Sequence, residues 1–470
     1  MNKIILAQID TIAGNIKYNS EKIKNAIIDA KSEEAQLIIF PKLALFGNNY
    51  GDIADRHKSL FKYQQEELEK IVQLSNNITI ILGYLGENCE NKIAIAQNGQ
   101  ILSTDRIFKL NEKEYIVTDT FDFQAYELQN KEAIIILASD ASRCGKEAEK
   151  DSLLKSTALL SKTNVIYVNQ VGYANDYVME GGSRIYNANA KLTLQGKFFK
   201  EELIEAIDYL GSLEEKPTNM EKQSIEEFSL NYENDLARTY QEVICGIKGY
   251  FYKNGFKKAV LGLSGGLDST VCATLLVDAL GKENVLGISM PTKITSTGSK
   301  QDANILAQNL GIEFWEVPIA NEIDIFTKEL NELFKTIKAE QYVKSTTFEN
   351  IQARTRATIL WGIANEFNST IPIATSDKSE CYMGYATING DMSGGFAPII
   401  DVTKTKLFAL AKWINRNEEI IPQNIIEKPP GAELAINPKT GKTNSRRSSN
   451  ALWIYGWGNL ENRKSSSINQ

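Results

Sequence analysis

The sequence predicts an α/β protein built as two successive layered domains. Three observations lead there. Short apolar segments alternate with segments of helical period along most of the chain. An acidic, polar stretch, residues 211–235, interrupts that alternation, with Pro217 inside it and few large apolar residues. Directly after it the alternation restarts, and its first strand runs into a Gly-Gly turn and a helix. The expected organisation is a first domain over 1–210, a connection over 211–235, a second domain over 236–438 and an irregular tail over 439–470. At 470 residues, 43% hydrophobic and 24% charged, the chain has the length for two ordinary cores.

Taken in order, Lys3–Ile9 is a near-continuous apolar run, as a strand buried on both faces requires. Asn19–Lys31 sets Ile23, Ala26, Ile27 and Ala30 on one helix face. Gln36–Phe40 is a buried strand that ends at Pro41; Lys58–Ser75 is helical and Ile78–Gly83 a strand. Ala133–Ala138 and Asn164–Gln170 are further apolar strands. In the second domain Leu236–Phe251 is helical and Ala259–Leu263 a strand. Asp268–Leu280 is a helix with Val271, Cys272, Leu275, Leu276, Ala279 and Leu280 on one side. Val285–Met290, Lys300–Leu310 and Phe314–Val317 continue as strand, helix, strand. Short buried strands joined by helices imply a parallel sheet with right-handed crossovers. After residue 438 the pattern is lost: Ser, Asn, Lys and Arg surround an isolated cluster from Leu452 to Trp457.

Composition narrows the chemistry. Lys and Arg number 52 against 59 Asp and Glu, a net charge of −7, so a basic footprint for duplex nucleic acid is absent. No apolar run approaches the ~20 residues a membrane helix needs. The N-terminus lacks signal-peptide architecture and reads as a first strand. Cys89, Cys144, Cys245, Cys272 and Cys381 are scattered, with no CxxC pair, which fits a reducing cytoplasm. The single histidine, His57, excludes a His-rich metal site and leaves Ser-His or Cys-His chemistry resting on one residue. The expectation is chemistry carried by carboxylates, lysines, backbone amides and bound cofactors.

The strongest local signal is Ser264-Gly-Gly-Leu-Asp-Ser269, between a strand and a helix. Two glycines let the backbone turn tightly and bring N–H groups close to a ligand. The following helix points its positive end at the loop, so an anion is favoured there. Asp268 beside a phosphate site makes sense when a cation such as Mg²⁺ joins them. A bare Gly-Gly turn without ligand is the bland alternative; Ser, Asp and Ser at these offsets argue against it. Thr440-Gly-Lys-Thr443 is not a second phosphate loop, because Ile436 stands where that motif needs a glycine. Asn350 and Arg354, four apart, share a helix face, a spacing that equally suits a solvated polar surface.

The Ser-Gly-Gly-Leu-Asp-Ser loop resembles the pyrophosphate loop of N-type ATP pyrophosphatases. The segments Pro291–Ala303, Glu349–Arg356, Thr375–Glu380, Gly384–Asp391 and Phe396–Lys404 follow it in the order of the NAD⁺ synthetase domain. The N-terminal part resembles the nitrilase-type glutaminase domain of the glutamine-dependent form. The resemblance implies a nitrilase-like α/β/β/α sandwich, followed by a Rossmann-like adenine nucleotide α-hydrolase domain with a parallel sheet. It implies ATP bound by Gly262, Leu263, Ser264, Gly265, Gly266, Leu267, Asp268 and Ser269, with Thr375 and Lys404. Mg²⁺ falls to Asp268 and Glu380, and deamido-NAD⁺ to Asn350, Arg354 and Glu380. Asp268 and Lys404 carry the synthetase chemistry, a carbon–nitrogen ligation through an adenylate, and the family implies a homo-oligomer.

Amide hydrolysis on the nitrilase fold uses a Cys nucleophile, a Glu base and a Lys that supports the anionic intermediate. The family's Glu lies in Pro-Glu-Leu-Ala-Leu, and here Pro41-Lys-Leu-Ala-Leu45 puts Lys42 in its place. Phe108-Lys-Leu110 offers Lys109 as a remnant of the family Lys. The family's strand-end Cys-Glu-Asp should precede a region that Ile134–Asp140 resembles, but it is not found, and Cys144 has the wrong context. The expectation is a retained fold with little or no glutaminase activity, and free ammonia as nitrogen donor. Gly431 replaces a family Ser, and the C-terminal segment that offers a lysine to deamido-NAD⁺ is not recognisable. Two other readings compete: a non-catalytic nucleotide-binding or scaffolding paralogue, and another amide-forming ATP pyrophosphatase.

Overall fold

The computed structural model describes residues 3–48, 50–51, 58–103, 106–120, 131–142, 147–207, 232–337, 345–428, 431 and 434. His57, Cys144, most of the 211–235 connection and the tail lie outside them. The chain separates into two compact units, Met1–Asp235 and Leu236–Gln470.

The first unit runs β1 (Lys3–Gln8), α1 (Ile16–Ser32), β2 (Leu37–Ile39), α2 (Lys58–Gln73), β3 (Thr79–Leu85), β4 (Asn91–Gln97), β5 (Gln100–Ser103), β6 (Ile107–Leu110), β7 (Lys113–Thr118), β8 (Ala133–Ala138), α3 (Glu147–Ser161), β9 (Asn164–Asn169), β10 (Val171–Ala174), β11 (Tyr177–Glu180), β12 (Arg184–Tyr186), β13 (Leu192–Gln195) and β14 (Glu202–Ile207). Two six-stranded sheets form, ordered β14-β1-β2-β3-β4-β5 and β13-β12-β9-β8-β7-β6. Strand alternation decides what each face meets. Ile4 and Leu6 of β1 pack between the sheets with Val117, Leu137 and Val168. Ile5 and Ala7, one residue out of phase, pack under α1 and α2 with Ile23 and Leu68. Ile134 and Ile136 of β8 meet Leu154 and Ala158 of α3. The result is an α/β/β/α sandwich.

α1 and α2 are also joined by charge. Glu67 accepts from Lys24 Nζ at 2.5 Å, Lys70 Nζ at 2.6 Å and the Ser20 hydroxyl. Burial alone would raise its carboxyl, but these donors outweigh burial and hold it at about 2. A carboxyl lowered in the folded state stabilises above its unfolded value and loses that contribution as pH falls. Stability from Glu67 should therefore be complete above pH 4.5 and vanish by about pH 2. Glu67→Gln should cost about 2–3 kcal/mol at pH 7 by urea unfolding, and should flatten this acid limb.

The second unit runs α4 (Tyr232–Asn254), β15 (Lys258–Gly262), α5 (Leu267–Leu280), β16 (Val285–Ser289), α6 (Thr297–Leu310), β17 (Glu313–Glu316), α7 (Ala320–Thr336), α8 (Ser345–Glu366), β18 (Thr370–Pro372), α9 (Lys378–Met383), α10 (Lys404–Ile414) and α11 (Gln423–Glu427). Its sheet, ordered β17-β16-β15-β18, is parallel throughout. Ala259 and Leu261 of β15 face α5, α6 and α10, whereas Val260 faces α7 and α8. Helices on both faces make this a Rossmann-like, doubly wound layer. No helix among the described residues is long and apolar enough to cross a membrane.

Candidate active site

In the second unit β15 leads through α5 to β16 on one side, while β18 returns to the other side of β15. Such a reversal opens a crevice at the carboxyl ends of the strands, where ligands of open α/β sheets sit. Both signature segments emerge there: Ser264–Gly266 after β15, and Thr375–Glu380 after β18. They line a cavity of ≈ 460 Å³.

The loop is shaped by its own hydroxyls. Gly266 N–H donates to Ser264 Oγ at 3.2 Å, and Ser269 Oγ donates to the Gly266 carbonyl at 3.2 Å. Gly262 through Asp268 line the cavity, but Ser269 lies behind the loop, buried, and supports it. Gly266 is the N-cap of α5 and supplies no side-chain cap to the helix's first amides.

Across the crevice Lys404, the first residue of α10, reaches three carboxylates. Its Nζ is 2.7 Å from Asp268 Oδ1, 2.7 Å from Asp377 Oδ2 and 3.1 Å from Glu380 Oε1. The three acids present oxygens within 4.8 Å of one another. One ammonium against three carboxylates leaves a formal surplus of two negative charges. Burial pushes the Asp268 carboxyl up, and Lys404 only partly opposes it. Burial and then the Asp268 charge push Glu380 up to about 7. Burial pulls Lys404 down, but its carboxylate neighbours outweigh that and raise it. An all-oxygen cluster with this surplus suits a hard divalent cation, so Mg²⁺ fits the residues present.

The remaining wall comes from α8. Asn350, Ala353, Arg356, Ala357 and Leu360 face the cavity. Asn350 Oδ1 accepts from the Thr387 hydroxyl at 2.9 Å. Arg354 does not join it. The cavity stripe centres near Ala353, which turns Arg354 outward, where its Nε donates to the Ile388 carbonyl. The arginine on the wall is Arg356, which a reading by four-residue spacing from Asn350 misses. Lys300 and Lys428 also line the cavity and were not singled out from sequence. Thr375 and Gly431 line it as well. Asp377 was missed too, although Asp-x-x-Glu before a helix is a capping signal. Its Oδ1 accepts from Glu380 N–H at 2.8 Å and starts α9. Lys378 is the first residue of that helix and half-buried.

The first unit has its own pocket, ≈ 470 Å³, lined by Lys42, Asn48, Tyr50, Asn91 and Asp119 among others. Lys42 Nζ lies 3.2 Å from Asp119 Oδ2. The strand preceding β8 is β7, parallel to it and unforeseen from sequence. It ends at Thr118, whose hydroxyl is occupied by the Thr120 backbone, donating to its carbonyl and accepting from its N–H. Lys109 sits on β6, in an antiparallel hairpin with β7, and is two-thirds exposed beside Glu114. The structure does not bring it to the Lys42 pocket, because the hairpin register aims it at solvent.

Two family models match the chain: NAD synthase over residues 239–447 and carbon-nitrogen hydrolase over residues 3–118. A glutamine-dependent NAD⁺ synthetase of Synechocystis sp. is 32% identical over 92% of this chain and 84% of its own length. One of Aquifex aeolicus is 33% identical over 93% of this chain and 86% of its own. This chain belongs to the glutamine-dependent NAD⁺ synthetase family. The solved glutamine-dependent NAD⁺ synthetase of Acinetobacter baumannii, in complex with ADP, superposes with a TM-score of 0.80 at 29% identity, over 92% of this chain and 85% of that one. As a member of that family the protein is a carbon–nitrogen ligase with NAD⁺ synthetase function. The hydrolase match stops at Thr118, the last residue of β7.

Proposed function

We propose that this NAD⁺ synthetase amidates deamido-NAD⁺ with free ammonia, and that its first unit no longer hydrolyses glutamine. The observation that carries the second half is the Lys42–Asp119 ion pair. A general base must be an unpaired acceptor near neutral pH, and an ammonium tied to a carboxylate is neither acceptor nor free. Thr118 at the end of β7 offers a hydroxyl already engaged by the backbone, not a thiolate.

For the synthetase half, ATP is read into the crevice with its phosphates against Ser264–Gly266 and the start of α5. The ADP held by the Acinetobacter baumannii relative supports that reading. Asp268 and Glu380 would hold Mg²⁺, which when bound neutralises charge on the phosphates. Lys404 would stabilise the pyrophosphate as the nicotinate carboxylate displaces it from the α-phosphorus, and Thr375 would contact the nucleotide. Asn350 orients the deamido-NAD⁺ side of the cavity, with Arg356 rather than Arg354 as the nearby cation. Ammonia then attacks the acyl adenylate, the acyl–oxygen bond breaks, and NAD⁺ and AMP leave with loss of one proton from nitrogen. The subunits are read as a homo-oligomer, in the cytoplasm.

The test pairs two donors. With Mg-ATP and deamido-NAD⁺, ammonium should support NAD⁺ formation, and glutamine freed of ammonia should support less than about a hundredth of that rate. Equal turnover with glutamine would sink the inactive-glutaminase reading. ATP binding without AMP release from either donor would instead favour a non-catalytic protein.

A further inference from the structure

We propose that Asp377 is a positioning residue of the synthetase site: it keeps the Lys404 ammonium at the cavity wall when Asp268 and Glu380 turn to a divalent cation. The inference rests on the reading that the crevice takes Mg-ATP. Of the three acids around Lys404, Asp268 and Glu380 line the cavity, and Asp377 does not; it is 0% exposed. A cation entering from the cavity can reach the first two. Asp377 is left as the counter-charge of Lys404, and the accounting then closes, since the ion's two charges answer Asp268 and Glu380.

The local geometry equips Asp377 for this. Its Oδ1 is committed to the Glu380 N–H, which fixes the carboxylate plane and sets Glu380 at the start of α9. Its Oδ2 accepts no hydrogen bond and lies 2.7 Å from Lys404 Nζ in an ion pair. The other end of Lys404 is held by the same turn, because the Lys404 N–H donates to Ser379 Oγ at 3.0 Å. One turn of chain therefore grips both the backbone and the ammonium of Lys404. A lysine has four rotatable side-chain bonds, and fixing its head group before phosphate arrives removes an ordering cost from binding.

Asn caps a helix as well as Asp, so Asp377→Asn keeps the cap and removes the charge. Titration calorimetry of Mg-ATP should show binding weakened about tenfold in Asp377→Asn, with the thermal midpoint within a few degrees of wild type. Lys404→Met should weaken it at least as much, and the double variant should be no worse than Lys404→Met alone, because Asp377 acts through Lys404. Asp377→Ser, which also caps, replaces Asp377→Asn if that variant misfolds. Wild-type affinity and kcat in the charge-free variant would reduce Asp377 to a helix cap and overturn the proposal. Full additivity with Lys404→Met would overturn it as well. A wild-type protein that binds Mg-ATP but makes no NAD⁺ contradicts the reaction reading, while the calorimetric comparison still decides on Asp377. No ATP binding by wild type would overturn both.

Discussion

Asp268→Asn should abolish synthetase turnover while leaving the protein as stable as before, or more so. The two effects have one cause. Asp268 sits at the start of α5 with Lys404 2.7 Å away, yet burial still raises its carboxyl, so its charge is disfavoured where it stands. Asn has the same shape, carries no charge and accepts from the Lys404 ammonium through its carbonyl. Removing a penalised charge relieves the fold, against about 0.5 kcal/mol lost from the favourable helix-dipole interaction. The thermal midpoint should hold or rise by a few degrees. Chemistry goes the other way: a residue proposed to hold Mg²⁺ and the charge opposite Lys404 disappear together, and AMP release with Mg-ATP, deamido-NAD⁺ and ammonium should fall by about a thousandfold or more. Turnover within tenfold of wild type would remove Asp268 from the proposed machinery. Unfolding of the variant would contradict the sign assigned to its burial.

The contrast between Asp268 and Asp377 marks how far the sequence could be read. Asp268 is legible because its loop is continuous: strand, two glycines, hydroxyls and helix lie within a few residues, and local rules apply. Asp377 acts on Lys404, 27 residues later, through a contact that exists after β18, α9 and α10 have packed. Lys42 and Asp119 are farther apart still, and no periodicity joins them. Secondary structure divides the same way. β1, β8, β9 and β15 were readable as apolar runs because each is covered on both faces. β6 was not, since Ile107 is exposed and Phe108 buried, a two-residue alternation too short to stand out in a polar hairpin. α7 is amphipathic in sequence, with Ile323, Phe326, Leu330 and Phe334 at helical spacing, yet of these four only Ile323 is buried, so the period was legible and the use made of that face was not. The spacing argument for Arg354 failed for a related reason: a four-residue step stays on the same face but about 40° further round it, and the facing cavity decides which edge of that face is inside.

Gly265→Ala should disable the loop more severely than Gly266→Ala, although the two are adjacent. Gly265 has φ +71, in the left-handed region that disfavours a side chain, at a cost of about 1 kcal/mol. Its missing Cβ would also lie 2.2 Å from the Ser299 carbonyl oxygen and 2.9 Å from its carbon. That obstacle is backbone. Ser299 belongs to the first turn of α6, where its N–H is capped by Ser296, so it cannot swing aside without moving the helix. Either the loop backs out of the crevice or α6 shifts, and both displace the loop amides proposed to meet phosphate. Gly266 has φ −99 and would meet the Ser264 hydroxyl at 3.1 Å, a side chain that can rotate. We therefore expect Gly265→Ala to weaken Mg-ATP binding about a hundredfold or more by calorimetry and to lower the thermal midpoint by several degrees. Gly266→Ala should lose about a tenth as much affinity, with a midpoint close to wild type. The ordering is the critical result. If both substitutions cost the same, the loop is held by ligand contacts rather than by its seat on Ser299, and the close approach at Gly265 is incidental to binding.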